Sequence, residues 1–167
     1  MVLKQDHLHP GDRLSCDHYI SPIPGCVVAP SGYSSTRHGY VGGTIYVDHA
    51  SGWIFHSPQK SLNAADTIRG KLLLEREAAE VGIQIKALHS DNGVFNSEDF
   101  RQHCTSYRQR LSFSGVGAHH QNGVAECSIQ TIANMVQASM IHASLRWPNC
   151  PIFDFWTLAM SYAIWVY

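Results

Sequence analysis

Hydrophobic and polar residues alternate over Arg13 to Tyr19 (RLSCDHY), which places Leu14 and Cys16 on one side of an extended strand and Asp17 on the other. Residues 21–39 hold Pro22, Pro24, Gly25, Pro30, Gly32 and Gly39 among several serines and are expected to form a long hairpin connection. Two β-rich runs, Gly43 to Val47 and Trp53 to His56, flank the turn residues Asp48 to Gly52 and predict an antiparallel hairpin. The first three strands then form a meander.

From Ser61 the period becomes helical, with Leu62, Ala65, Ile68, Leu72 and Ala79 in phase; Ser61 or Asn63 can cap the start and Gly82 suits the end. This crossover helix leads to a short strand, Ile83 to Leu88, so that Asp91 sits just past a strand's carboxyl end, where open α/β sheets place ligand sites. Ser97, followed by Glu98 and Asp99, starts a second helix, and Leu111 to Phe113 reads as the last strand. Ala125, Ile129, Ile132, Val136, Met140 and Ala143 then recur at steps of three and four, a long amphipathic helix closed by Trp147-Pro148. Glu126 lies in its first turn, one position off the apolar stripe. The tail, Ile152 to Tyr167, is strongly apolar but shorter than the roughly 18 to 20 residues of a membrane span and carries Asp154, so it predicts a buried helix. It stops in mid-pattern without a cap, and the chain reads as a piece of something longer.

Composition adds limits rather than a function. With 167 residues and 44% hydrophobic content, the chain can bury one good core and is read as one domain. Its formal net charge of −1 gives no electrostatic reason to propose a nucleic-acid partner, so any such claim must come from a site. The five cysteines are scattered and never in CxxC spacing, which fits neither a disulfide framework nor a four-cysteine zinc site. The opening MVLKQDHLHPGD lacks the apolar run of a signal peptide, and a reducing, intracellular compartment is the expectation.

Three carboxylates occupy three kinds of position: mid-strand (Asp17), strand end (Asp91) and first helical turn (Glu126). Hard divalent cations take such oxygen ligands, and a two-metal site needs carboxylates that converge. Singly, each is an ordinary solvated acid. The blocks LSCDHYISPIPG, YVDHASGW, HSDNGVF and HHQNGVAE, in that order, with Asp91 and Glu126 35 positions apart, resemble the integrase core of retroviruses and, more closely, of Ty1/copia-type LTR retrotransposons.

The resemblance implies an α/β, ribonuclease-H-like fold: a five-stranded mixed sheet with helices on both faces. It implies that Asp17, Asp91 and Glu126 are a catalytic DDE triad binding two magnesium (or manganese) ions and joining 3′ ends of element DNA to a target duplex, without a covalent enzyme intermediate. Implied partners are DNA, further copies of the chain in a homodimer or higher multimer, and other domains of a polyprotein, with no membrane; the implied location is the nucleus. Asn92, His120, Gln121 and Asn122 are candidate DNA contacts, with Asn92 and Gly93 also expected to shape the Asp91 turn. Asp48 falls in the second-strand block and is read as structural.

Residues 1–12 are expected to be a linker from an upstream module, with His7 and His9 in it, residues 13–148 the catalytic core and 149–167 its truncated last helix. Where related cores continue NGVAE with a basic residue, this chain has Cys127, which removes a cation from the first exposed turn. Three other readings stay open: a bacterial insertion-sequence transposase with the same triad, a catalytically silent remnant that binds DNA or dimerises, and an ordinary ribonuclease H. The long 21–39 segment favours the copia-type arrangement over the first, and HHQNGVAE favours the integrase branch over the last.

Overall fold

The computed structural model describes residues 7–26, 39–115 and 122–167. Five strands, β1 (Leu14–Gly25), β2 (Tyr40–Asp48), β3 (Ile54–Gln59), β4 (Ala87–Ser90) and β5 (Arg110–Phe113), form one sheet in the order β3-β2-β1-β4-β5. The first three are the antiparallel meander that the alternation predicts, and β4 and β5 run parallel to β1. Parallel neighbours need crossover connections, supplied by α1 (Ala64–Glu80) before β4 and α2 (Glu98–Ser106) before β5. Two further helices, α3 (Gly123–Arg146) and α4 (Trp156–Val166), complete the chain.

Strand alternation decides which side chains meet which helices. Leu14, Cys16, Tyr46, Phe55 and Leu88 point to one face and pack with Leu74, Ala78, Phe100 and Cys104 of α1 and α2. Tyr19, Ile45, Val47 and Ile54 point to the other, beneath Ala125, Ile132, Val136 and Met140 of α3 and Trp156 and Met160 of α4. The result is the expected mixed five-stranded sheet with helices on both faces.

Caps follow the sequence closely. Asn63 accepts the Asp66 backbone N–H at 2.8 Å and is the N-cap of α1, while Ser61 donates its hydroxyl to the Asp66 carboxylate at 2.8 Å. At the other end Gly82 has φ +75°, and the N–H groups of Gly82 and Ile83 donate to the carbonyls of Ala79 and Ala78, closing the helix as glycine permits. Ser97 caps α2.

Three expectations are corrected. The 21–39 segment is not all connection, because β1 continues through Gly25. Pro22 and Pro24 are tolerated there because the β2 register slips between Ile20 and Gly25 and β4 pairs only with Leu14 and Ser15, leaving the prolines no ladder partner to lose. This overhang is tied to the last helix region instead: the Cys26 N–H donates to the Asp154 carbonyl at 2.8 Å and the Trp156 indole to the Ile23 carbonyl at 2.8 Å. Residues 27–38 of the expected loop lie outside the described residues. Second, the strand expected over Ile83 to Leu88 begins only at Ala87 and runs on to Ser90. The Lys86 N–H goes to the Gly11 carbonyl at 2.8 Å, so residues 9–12, themselves tied to Asp48 and Lys86, take the position a longer β4 would use. Third, the tail is buried on one side only: Trp156, Met160 and Ala163 are covered, whereas Tyr162 and Trp165 are 58% and 82% exposed. No helix among the described residues is long and apolar enough to cross a membrane.

Candidate active site

Asp17 stands in β1 opposite Ile45 of β2, on the sheet face that carries α3. Its carboxylate is half-buried and accepts the His18 backbone N–H at 2.8 Å. Asp91 follows the last residue of β4, and its Oδ1 accepts the Gly93 N–H at 3.3 Å. Glu126 lies exposed in the first turn of α3.

The charges of Asp91 and Glu126 both act on Asp17. Burial raises the Asp17 pKa from its ordinary value to about 6, and the negative charges of Asp91 and Glu126 push it in the same direction, against the opposing pull of the His18 N–H and the Asn122 amide. Among the described residues, no three His, Cys, Asp or Glu side chains stand close enough to enclose an ion. The two observations concern different ranges: charges interact over many ångströms, whereas ligand oxygens must reach about 2.0 to 2.6 Å from an ion. The acids share one field, and each carboxylate in β1 and after β4 is engaged by its own local N–H.

Asn122 immediately precedes α3 and is 1% exposed. Its Nδ2 donates to the Cys16 carbonyl at 3.2 Å, it makes no cap bond to the helix, and its Oδ1 has no partner among the described residues. The side chain faces inward, between β1 and the start of α3, beside Asp17. Asn92 is exposed, yet its Nδ2 donates to the Ser114 carbonyl at 3.0 Å and ties the Asp91 turn to the end of β5. Gly93 lies beside the Asp91 carboxylate, where a Cβ would stand in ordinary contact at 3.4 Å from Oδ1. His120 and Gln121 lie outside the described residues. Asp48 is 3% exposed and fully engaged, accepting from the Gly11 N–H at 3.0 Å, the Ser51 N–H at 2.8 Å and the Ser51 hydroxyl at 2.7 Å. It locks the β2–β3 turn.

Sequence reasoning passed over His18. Its ring lies 4.5 Å from Phe95 and its Nε2 is 3.1 Å from the Thr67 hydroxyl, joining β1 to α1 and to the segment after Asp91. Burial lowers its pKa to about 4, so the imidazole is neutral at pH 7. Alternation alone would have placed it on the face opposite Asp17, but not against Phe95.

Cys127 is exposed. Cys127→Arg is therefore expected to leave the melting midpoint unchanged and to steepen the salt dependence of DNA binding by about 0.9 log units per log unit of salt, one phosphate contact's worth. Parallel salt titrations and melts check it; a variant that melts several degrees lower would show that the position is not free to carry a cation.

No family model matches the chain. In sequence it is 30% identical over 142 residues to the Pro-Pol polyprotein of feline foamy virus, which covers 84% of this chain and 11% of that polyprotein. The chain thus spans about a tenth of the relative's length. In structure it is similar to the HTLV-2 integrase catalytic core domain in complex with magnesium in its dimeric form, at a TM-score of 0.62 and 23% identity over 95% of this chain and 87% of that one. The trimeric form gives a TM-score of 0.61 at the same identity, over 95% and 86% of the two chains. A chain of the simian T-cell lymphotropic virus intasome in complex with PP2A regulatory subunit B56 gamma matches at 0.67 and 20% identity, over 96% of this chain and 49% of that one. The fold is that of the retroviral integrase catalytic core.

Proposed function

We propose that this chain, which has the integrase-core fold and a retroviral Pro-Pol relative, is the catalytic core of a retroelement integrase, of the Ty1/copia type its motifs resemble. It joins 3′ ends of element DNA to a target duplex, as a multimer, within a longer polyprotein product that acts in the nucleus. The observation that supports it best is the field at Asp17: a strand-borne carboxylate raised by burial and by two further acids, Asp91 and Glu126, from separate elements.

The donor set fits a hard divalent cation, being all carboxylate oxygen, and the HTLV-2 core of the same fold is a magnesium complex. Asp17, Asp91 and Glu126 would hold two magnesium or manganese ions, which when bound supply Lewis-acid charge for in-line displacement at phosphorus. The protein's own part is positional. The His18 N–H and the Asn122 amide orient Asp17, and Asn92 and Gly93 aim Asp91. Asn122, buried and donating to the Cys16 carbonyl, is placed to brace Asp17. The rival reading, a silent remnant that binds DNA or dimerises, is favoured by Cys127 at the position of a cation.

Magnesium is expected to raise the melting midpoint over EDTA, because a divalent ion relieves the repulsion among the three acids. At ten times Kd the gain is about 1.4 kcal/mol. Calcium should stabilise similarly without supporting joining. Equal midpoints in EDTA and millimolar magnesium, or an equal shift in the Asp17→Asn/Asp91→Asn double variant, would remove the assigned site.

A further inference from the structure

Strand β3 stands at the edge of the sheet, with β2 on one side only. Register decides which of its backbone groups are left over. Val47 is opposite Ile54, so Asp48 comes level with Trp53, whose carbonyl accepts the Asp48 N–H at 2.9 Å. Bonded and non-bonded pairs alternate along an antiparallel ladder. Phe55 and Ser57 therefore bond to Tyr46 and Thr44, while the N–H and C=O groups of Ile54 and His56 and the C=O of Pro58 point away from the sheet. The other side of β2 agrees: the His49 N–H donates to the Arg13 carbonyl at 3.0 Å, which turns the backbone groups of Val47 and Ile45 towards β1. Among the described residues, nothing pairs with the outward backbone groups of Ile54 and His56. Folded proteins blunt such an edge with charged residues or proline; Ile54–Gln59 carries no Asp, Glu, Lys or Arg, and Pro58 alone interrupts the row.

This edge lines a groove of about 900 Å³ that runs along Trp53, Ile54, Phe55 and His56. Strand alternation gives the groove two unlike walls. Trp53 and Phe55 turn to the α1 side, their rings 5.9 Å apart, and Glu77 of α1 stands there exposed and, among the described residues, without an ion pair. Ile54 and His56 turn to the α4 side, where Ile164 and the exposed Trp165 line the groove. Arg76, the neighbouring cation, lines the adjoining cavity beside Pro10 and Val81 instead.

We infer that β3 docks an extended peptide of a partner protein by strand addition, and that the peptide presents apolar, basic and apolar side chains in succession. An antiparallel strand there exchanges both hydrogen bonds with Ile54 and with His56 and donates one to the Pro58 carbonyl, a task for a segment of about five residues. Its side chains alternate as those of β3 do. The residues opposite Ile54 and His56 fall on the α4 side, against Ile164 and Trp165. The residue between them, opposite Phe55, falls beside Trp53 and Glu77, where a cation meets both an aromatic face and a carboxylate. Charge separates this partner from a second copy of the chain, because a second β3 would set only uncharged side chains against Glu77. The docking stands apart from the DNA chemistry proposed above, since it uses none of Asp17, Asp91 and Glu126.

The test titrates the 167-residue chain with the capped peptide Thr-Thr-Val-Arg-Val and reads tryptophan fluorescence, Trp53 and Trp165 lining the groove. Saturable binding is expected. N-methylation of the first valine, whose N–H would donate to the His56 carbonyl, should weaken it by about tenfold or more. Glu77→Lys, at an exposed position, should keep the parent's melting midpoint, bind this peptide about tenfold more weakly, and prefer the version with glutamate in place of arginine. Binding that falls in Glu77→Lys but ignores the N-methyl group would be charge capture alone and would overturn strand addition. No saturable binding up to 1 mM peptide would do the same. So would sedimentation showing a dimer of the chain that the peptide neither binds nor dissociates, which would give the edge to a second copy.

Discussion

Asp17→Asn is expected to abolish DNA joining, by about a thousandfold or more, while making the metal-free fold more stable at pH 7 than the parent. On the proposed reading, the first effect follows from losing one of three oxygen donors. Three decades in rate correspond to about 4 kcal/mol, within the several kcal/mol that metal charge stabilisation contributes to phosphoryl transfer. The second follows from the direction of the Asp17 shift. Burial and its acidic neighbours raise its folded pKa from its ordinary value, near 4, to about 6. Between these values the folded state binds more protons than the unfolded state, so stability falls as pH rises from about 4 to about 6 and stays lower above. Asparagine removes that penalty. In EDTA, the difference in midpoint between variant and parent should be positive at pH 7 and shrink towards zero as pH falls through 6 to 4. His18, lowered to about 4, contributes with the opposite sign but is common to both proteins and cancels in the difference. A variant that joins DNA, or that melts below the parent at pH 7, would show that Asp17 is not a repelled ligand. Asp91→Asn, whose turn is held by Asn92 and Gly93, should match the loss of joining.

The largest expected effect on stability lies on the other side of the sheet. Lys71 of α1 has a fully buried side chain, with its ammonium 3.0 Å from Glu75 Oε1 and 4.6 Å from the centre of the Tyr107 ring. Glu75 also accepts from the Gln109 side-chain amide, and Gln109 Nε2 donates to the Ile85 carbonyl at 3.0 Å, so the network joins α1 to the segments leading into β4 and β5. Glu75→Ala leaves the ammonium buried without its anion, which costs about 3 to 5 kcal/mol. At about 2 to 4 °C per kcal/mol for a chain of this size, the midpoint should fall by roughly 10 °C or more. Lys71→Met/Glu75→Leu, which removes both charges and keeps apolar volume, should recover most of that loss. Thermal melts of the three proteins decide it. A Glu75→Ala midpoint within 2 °C of the parent would mean that water or another group already serves the lysine.

Sequence alone could not have distinguished that pair from a solvated surface pair. Lys71 and Glu75 are spaced i,i+4, which on an exposed helix contributes only about 0.2 to 0.5 kcal/mol. Their burial comes from Tyr107 and Gln109, more than 30 residues away.

The residues whose neighbours are close in the chain determined their own structure. Alternation fixed the meander and the side of β1 on which Asp17 lies, Asn63, Gly82 and Ser97 set helix ends, and the stripe from Ala125 to Met140 defined α3. Motif order sufficed for the fold because each block carries its own strand end or helix start. What only tertiary structure decided depends on partners distant in sequence. Proline composition marks β1 beyond Ile20 as a connection, but Asp154 and Trp156, more than 120 residues on, hold it extended. Hydropathy extends β4 back to Ile83, but Gly11 takes the Lys86 N–H first. Asn122 sits in a polar motif that suggests a surface contact, yet the Cys16 carbonyl, 106 residues away, draws it inward beside Asp17. The raised pKa of Asp17 is likewise absent from the sequence, because desolvation and the fields of Asp91 and Glu126 exist only once β1, β4 and α3 have met.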